Sequence, residues 1–246
     1  MYHEYKPDIR LAPFIETYWN TAGFVEKATP FKVLPDGCVD IVFTFGDDAG
    51  NDHSVEIVGT MTAALHLVLS GNVRMFGIRF RPAGISAFTR VPVEKFTDYR
   101  FDATLVETLL DRHFFEILMQ KHTVEEVVCH VDRYLISKLP CLYQTEKQIV
   151  HAVDLIYLAK GQISPVEIAS EVCLCQRHFE RKFRAAIGVS PKMFSKIVRF
   201  KNALKCLKNT QNNDLLTVAV NCGYYDHTHL IKDFKAFSGD VPSSFK

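Results

Sequence analysis

Two stretches near the C-terminus place polar and basic side chains on one face of a predicted helix. In the first stretch, Phe179, Phe183 and Ile187 recur every four residues and indicate a buried apolar stripe. The opposite face carries Gln176, Arg177, Glu180, Arg181 and Arg184. Arginine and glutamine can each make two hydrogen bonds to one base edge, and basic side chains bind phosphates. A short helix with such a face is suited to the major groove of DNA.

The second stretch repeats the first about fifty residues later. Ala169 and Cys173 recur 50 positions on as Ala219 and Gly223, and the offset then becomes 51. At that offset, the pairs are Phe179 with Leu230, Phe183 with Phe234, Arg184 with Lys235, Gly188 with Gly239, and Pro191 with Pro242. The outward face of the second copy carries His227, Thr228, Ile231, Lys232 and Lys235. A repeat of this length predicts two copies of one structural unit.

Helix start and stop signals divide each copy into two helices. Ser164 and Glu167 form a capping box, and Pro165 suits the first helical position. The first turn falls at Cys173 to Cys175. In the second copy, Gly223 suits the turn and Asp226 can cap the next helix. The predicted units span about 164–187 and 214–237.

A longer helix is predicted between the two units. It begins at Ser190-Pro191 and reaches about Lys208, with apolar residues at helical spacing and a basic remainder. Lys196 lies in this spacer. We expect Lys196, together with Arg184 and Lys235, to contact phosphates, and the other outward residues of the two units to approach base edges.

From about Gln148 onward, the chain resembles the DNA-binding domain of the AraC/XylS family of transcription regulators. The resemblance rests on four stretches and their continuation to Phe245: Ile168-Ala169, residues 179–183, Gly188-Val189-Ser190-Pro191, and residues 223–230. It implies two helix-turn-helix units on one linker helix, with double-stranded DNA and RNA polymerase as partners. Two departures are Cys173, where the second copy has glycine, and Cys175, where the family usually has a capping serine.

Charge separates the chain into two predicted domains. Residues 141–246 hold 15 Lys and Arg against 9 Asp and Glu, a balance of +6, and residues 1–140 hold 14 against 19, a balance of −5. The basic excess lies where the repeated units are. We therefore expect a DNA-binding domain at 141–246 and a sensor or regulatory domain at 1–140.

The predicted N-terminal domain begins with strands and ends with helices. Strand-forming runs occupy residues 31–34, 38–45, 54–59, 65–69 and 73–80, separated by turn-like segments that include 46–53 and 70–72. Helices follow at about 82–89, 104–120 and 123–139, with a linker at 91–102, and Thr123 with Glu126 predicts a capping box at the start of the last helix. The fold class is α+β: a mostly antiparallel sheet or partial barrel followed by helices, then an all-α domain. Residues 34–45, 58–62 and 77–82 resemble an N-terminal domain found on some members of the same family.

Other reactive residues favour ordinary structural roles. Cys173, Cys175 and His178 could form half of a metal site, but no second cluster accompanies them. Asp36, Cys38 and Asp40 are more simply a turn aspartate, a buried cysteine and a solvent-facing strand aspartate than a catalytic group. We therefore predict no catalytic residue, no metal and no cofactor.

Arg79 and Arg81 could bind an anionic effector or could simply solvate an outer strand face. Both interpretations are open at the level of sequence. These are the two candidate effector residues.

Cysteine usage and the N-terminus indicate the compartment. The seven cysteines do not form a disulfide framework, and MYHEYKPDIR lacks the apolar run of a signal peptide. We expect a cytoplasmic, nucleoid-associated protein with no membrane segment and a possible homodimer.

Three functions remain open. The first is a sequence-specific transcription regulator controlled by a small-molecule effector. The second is a regulator controlled instead by a protein partner or by thiol oxidation. The third is a DNA-modifying enzyme that uses Cys38 and carries an appended DNA-binding domain.

Overall fold

The computed structural model describes residues 2–46, 53–106, 109–143, 146–209 and 215–245. Six described strands form one antiparallel sheet in the order β1-β2-β5-β3-β4-β6. The strands are β1 (Tyr2–Tyr5), β2 (Ile15–Val33), β3 (Val39–Thr44), β4 (Ser54–Val58), β5 (Leu65–Phe80) and β6 (Arg100–Asp102). The sheet is open because β1 and β6 lie at its two edges. The predicted antiparallel sheet is confirmed.

Two strands are longer than the sequence patterns predict. The segment 70–72 is a continuous part of β5, not a connection: Gly71 and Asn72 pair with Val25 and Phe24 of β2, and the register shifts between Gly71 and Leu69. Gly71, at a φ of 70°, lets the chain bend there without leaving the ladder. Most of the predicted connection 46–53 lies outside the described residues. The predicted linker 91–102 contains a 3-10 turn (Val93–Lys95) and the edge strand β6.

One face of the sheet packs against two helices. They are α1 (Arg112–Met119) and α2 (Val124–Lys138), and α2 begins with the capping box predicted at Thr123 and Glu126. Alternate strand residues such as Phe43, Phe76 and Phe80 point into this core. The predicted helix 104–120 is shorter than expected because Asp111 caps α1 at its first turn. The predicted helix 82–89 is a 3-10 turn, Gly84–Ala87.

The C-terminal helices form a second apolar core. The helices are α3 (Lys147–Leu158), α4 (Pro165–Glu171), α5 (Gln176–Ile187), α6 (Pro191–Asn209), α7 (Leu215–Asn221) and α8 (His227–Ser238), and a 3-10 turn follows at Pro242–Phe245. Phe183, Phe194, Phe200 and Phe234 lie at the centre of this core and are fully buried. Within the described ranges, no helix is long and apolar enough to cross a lipid bilayer.

Candidate DNA interface and N-terminal cavity

The two repeated units have matching backbone geometry. Helices α4 and α7 are both seven residues long, and α5 and α8 are both twelve. In each turn an amide bonds back to the carbonyl of the equivalent alanine five residues earlier: Leu174 N to Ala169 O and Tyr224 N to Ala219 O, both at 2.9 Å. The predicted duplication and its helix-turn-helix form are therefore confirmed.

The caps of the second helices differ between the units. The carboxylate of Asp226 accepts a hydrogen bond from the amide of His229 at 2.7 Å, as the sequence predicts. Cys175 occupies the corresponding position before α5 and makes no side-chain cap. The turn residue Cys173 has a φ of 54°, whereas its counterpart Gly223 has a φ of 75°. Because a side chain is unfavourable in that region, the first turn stores strain that the second avoids.

The predicted base-reading residues of α5 lie on its outer face. Gln176, Arg177 and Arg181 are exposed, and Glu180 is half-buried. The amide of Gln176 donates to the Glu180 carboxylate at 2.8 Å, so these two side chains already hold each other in place. One Arg181 guanidinium nitrogen lies 3.2 Å from Nδ1 of His178. Arg177 extends into solvent at the N-terminal end of the helix, where major-groove contacts are usually made.

Helix α8 presents a weaker set of base-reading groups. His227, Thr228 and Lys232 are exposed, and Ile231 is half-buried. His229 is half-buried as well, with its ring edge-on to Tyr224 at 5.2 Å between centroids. This helix therefore offers one long cation for hydrogen bonding to bases, whereas α5 offers two arginines.

The three predicted phosphate contacts have different surroundings. Arg184 and Lys235 are exposed near the ends of α5 and α8. Lys196 instead lies 3.2 Å from the Asp233 carboxylate, which is only 5% exposed. This ion pair joins the spacer helix α6 to α8, so Lys196 has a structural partner that the sequence pattern does not reveal.

A cavity of about 690 Å³ occupies the second face of the N-terminal sheet. Apart from Lys32, the residues of β2 and β5 that line it are odd-numbered, because successive side chains on a strand point to opposite faces. The apolar lining residues are Phe31, Val33, Leu34, Val42, Val58, Met61, Leu65, Leu67, Leu69 and Met75. A mostly apolar cavity of this size with a few polar groups is typical of a small-molecule site.

A buried ion pair lies in the wall of this cavity. Arg79 donates to both oxygens of Asp40, at 3.1 and 3.0 Å, and its Nε lies 3.5 Å from Asp36 Oδ2. The indole N–H of Trp19 donates to Asp40 at 3.1 Å. Burial raises the pKa of Asp40 to about 6, and the Arg79 charge offsets only part of this effect.

The structure corrects the sequence interpretation of the strand aspartate. Asp40 does not face open solvent, because its side chain is 14% exposed and bonded to Arg79 inside the cavity. The strand register places Asp40 directly opposite Arg79. The sequence indicated this pair only by placing residues of opposite charge in two predicted strands.

The two candidate effector residues have separate roles in the fold. Arg79 lines the cavity and pairs with two aspartates, so its charge is already used. Arg81 points elsewhere and donates to the backbone carbonyl of Ala12 at 2.7 Å. Their role in binding an effector stays a prediction.

Cys38 lies close to this wall but is a poor nucleophile. It is 5% exposed, and its thiol lies 3.2 Å from the Glu16 carboxylate. Burial raises the pKa of the thiol well above its ordinary value, and the charges of Asp36 and Glu16 raise it further. Because the thiolate is the reactive form, this environment suppresses the chemistry that an alkyl-transfer enzyme would need.

Contacts from the N-terminal part reach the C-terminal ends of both reading helices. The Thr60 hydroxyl donates to Ile187 O at 2.6 Å, and the Thr97 hydroxyl donates to Gly188 O at 2.8 Å, both at the end of α5. Lys32 donates to Ser238 O at 2.9 Å and forms an ion pair with Asp240, just after α8. Lys32 also lines the cavity, so the cavity wall and the second unit share one side chain.

Comparison with protein families gives matches to two separate parts of the chain. A family model described as a helix-turn-helix domain matches residues 168–246, and a model of a domain of unknown function, DUF6597, matches residues 3–102. The C-terminal part is therefore a DNA-binding domain of the helix-turn-helix class. This match agrees with the resemblance of the C-terminal residues to the DNA-binding domain of AraC-family regulators.

Solved structures match the chain at low sequence identity, and the first one below shows its fold over most of the length. ToxT from Vibrio cholerae matches with a TM-score of 0.51 and 10% identity over 93% of this chain and 97% of that one. The C-terminal domain of AraT, a response regulator from Geobacillus stearothermophilus, matches at 18% identity and a TM-score of 0.39, over 41% of this chain and 84% of that one. The DNA-binding domain of AdpA, solved with a target DNA, matches at 23% identity and a TM-score of 0.37, over 41% of this chain and 90% of that one. No curated protein sequence matches significantly.

Proposed function

We propose that this protein is a sequence-specific transcription regulator that reads two successive major-groove segments and is controlled by a small molecule bound in its N-terminal cavity. The observation that carries the DNA part is the pair of equivalent helices, α5 and α8, with exposed polar faces. The spacer α6 has 19 residues and is about 28 Å long at a rise of 1.5 Å per residue. That length suits two reading helices separated by about one turn of DNA.

The effector part is supported by the shared position of Lys32 and Thr60. Lys32 lines the cavity and contacts the end of α8, while Thr60 adjoins the lining residues Gly59 and Met61 and contacts the end of α5. A ligand that shifts these strands would therefore change contacts to both reading helices. A ligand can control DNA binding only if its own binding free energy differs between two conformations of the protein.

Quantitative DNA binding by the full chain tests the proposal. The affinity for a selected site should fall linearly with salt on a log–log plot, by about 0.9 in slope for each phosphate contact. Arg177→Ala should lower specific affinity by roughly 1–3 kcal/mol, because it removes a base contact. The matched control is Arg112→Ala, since Arg112 is an exposed arginine on α1, outside both helix-turn-helix units. Salt-independent binding, or equal effects of the two variants, would contradict the proposal.

A second mode of control, thiol oxidation, is favoured by one specific contact. The thiol of Cys222, just after α7, hydrogen-bonds to Cys206 on α6. Burial raises the pKa of Cys222 to about 12, so the pair should react only slowly, and its support for this mode is the proximity of the two thiols. Diamide could take two electrons and two protons from this pair to form a disulfide between the spacer and the second unit. Loss of DNA binding in diamide, prevented by Cys222→Ser and restored by dithiothreitol, would support this mode. An unchanged response in Cys222→Ser would exclude the pair as the sensor.

RNA polymerase contact and homodimer formation stay predictions. Sedimentation of the full chain with and without its DNA site will give the number of chains bound. Transcription in a purified system will show activation or repression by RNA polymerase.

A further inference from the structure

The cavity wall is built so that an aromatic surface lies beside the buried aspartates. Trp19 lies opposite Gly77 on the neighbouring strand, and a Cβ at Gly77 would come within 1.9 Å of the indole ring. The glycine therefore allows the indole to lie flat across β5. Tyr2 stacks on the outer side of Trp19 at 6.2 Å between ring centroids. Both rings line the cavity.

The cations that line the cavity already have anionic partners. Lys32 pairs with Asp240, and Arg100 pairs with Glu56. Arg79 is shared between Asp36 and Asp40. One guanidinium thus faces two carboxylates, which leaves one negative charge in excess in the cavity wall.

The excess charge is best assigned to Asp36. Asp40 accepts two hydrogen bonds from Arg79 and one from Trp19, so its oxygens are well occupied. Asp36 accepts a backbone hydrogen bond from Cys38 on one oxygen, at 2.9 Å. Its other oxygen has only the long 3.5 Å contact with Arg79. This oxygen can accept a strong hydrogen bond from a positively charged donor.

We propose that the effector is an organic amine whose ammonium group binds Asp36 and whose apolar body fills the rest of the cavity. The inference rests on the proposed effector control and adds the chemical class of the ligand. The rings of Trp19 and Tyr2 provide a surface that attracts a cation. Leu65, Leu67 and Leu69 line the apolar part, where a phenyl or alkyl body loses its contact with water. An anionic ligand would meet the uncompensated charge of Asp36 and is disfavoured.

Three probes of nearly the same shape and different charge test this class: 4-phenylbutylamine, 4-phenylbutanol and 4-phenylbutyrate. Trp19 is the single tryptophan of the chain, so indole fluorescence reports on this cavity alone. Titration of the full chain should give a saturable change with each probe that binds. We expect the amine to bind at least tenfold more tightly than the alcohol, and the carboxylate to bind more weakly than either.

Variants of Asp36 assign the preference to this side chain. Asp36→Asn should lower amine affinity about tenfold and leave alcohol affinity unchanged, because one charge-assisted hydrogen bond is lost. Asp36→Glu keeps the charge and should recover part of the preference. Asp154→Asn is the matched control, since Asp154 is exposed on α3 and is not among the residues that line the cavity. Circular dichroism of each variant confirms that it is folded.

Each alternative outcome overturns the inference. A preference for the carboxylate, equal affinity for all three probes, or no saturable change with any of them excludes an amine-selective cavity. An amine preference that survives Asp36→Asn excludes Asp36 as its cause. DNA binding is measured on the same preparations. If the amine inference fails but salt-dependent DNA binding is intact, the proposed DNA-binding function still stands.

Discussion

A single ion pair, between Lys196 and Asp233, connects the spacer helix to the second reading helix. The pair is 3.2 Å long, and the second oxygen of Asp233 is buried without a hydrogen-bond partner among the described residues. Any experiment that removes Lys196 therefore leaves a buried carboxylate without its main partner. A loss of DNA binding in that variant can therefore come from a less stable fold or from a lost phosphate contact. The two causes must be separated.

We predict that Lys196→Ala lowers the free energy of unfolding by roughly 1–3 kcal/mol, because the Asp233 carboxylate is left unpaired. Lys192 on the same helix is exposed, so Lys192→Ala should change the free energy of unfolding little. Urea denaturation followed by circular dichroism measures both. The double variant Lys196→Ala with Asp233→Asn should recover stability, and any remaining loss of DNA affinity then measures the predicted phosphate contact. If Lys196→Ala is as stable as Lys192→Ala, the ion pair does not support the fold.

The raised pKa of Asp40 predicts how stability depends on pH. In the unfolded chain the pKa of this carboxyl is near its ordinary value of 3.8, and in the folded protein it is about 6. Between these values the folded state binds a proton that the unfolded state lacks, so protonation favours folding as the pH falls. The stability of the wild type relative to Asp40→Asn should rise by on the order of 1 kcal/mol from pH 7 to pH 5. A pH-independent difference would show that Arg79 fully offsets burial, and a fall would show that Arg79 outweighs it.

At the scale of elements, the two helix-turn-helix units differ most in their turns. Cys173 adopts a left-handed conformation that Gly223 adopts without a side chain. We predict that Cys173→Gly raises the free energy of unfolding by about 1 kcal/mol, because the strain exceeds the added entropy of the unfolded chain. Thermal denaturation of the variant measures this gain.

The matched change in the second unit should have the opposite sign. A Cβ at Gly223 would lie 2.5 Å from Gln162, and the φ of 75° is unfavourable for alanine. Gly223→Ala should therefore cost about 1–2 kcal/mol. If Cys173→Gly and Gly223→Ala change the free energy of unfolding in the same direction, the two turns are not equivalent.

Local signals in the sequence were sufficient where the helices are defined by their own residues. The capping residues Ser164, Thr123 and Asp226 mark helix starts that the structure confirms. The strand pattern failed at Gly71, since a glycine flanked by polar residues favours a turn locally while pairing with β2 keeps the chain extended. Edge strands β1 and β6 are short and depend on pairing across long sequence separations. The cavity was hidden for the same reason, because Asp40, Arg79 and Trp19 meet only through the sheet register.

At the scale of the whole molecule, hydroxyl groups of the N-terminal part complete the C-terminal end of α5. Thr60 is fully buried and donates to Ile187 O. We predict that Thr60→Val lowers the free energy of unfolding by about 1–3 kcal/mol and increases hydrogen exchange at the end of α5, because a buried carbonyl loses its donor. Hydrogen exchange with mass spectrometry resolves this region.

Thr62→Val is the control for this change. The Thr62 hydroxyl bonds to Asp98 in an exposed position within the N-terminal part. Thr62→Val should leave hydrogen exchange at the end of α5 unchanged. Equal exchange in the wild type and Thr60→Val would mean that the two parts are not coupled through this contact.

The central claim is that α5 and α8 of one chain read two different DNA segments about one helical turn apart. Binding-site selection followed by hydroxyl-radical footprinting of residues 141–246 tests it most directly, with the wild type, Arg177→Ala and Lys232→Ala. We predict an asymmetric site of about 20 base pairs with two protected segments, in which Arg177→Ala relaxes one segment and Lys232→Ala relaxes only the other. A single protected segment, a perfect palindrome read equally on both sides, or the same selected sequences for all three proteins would contradict the account.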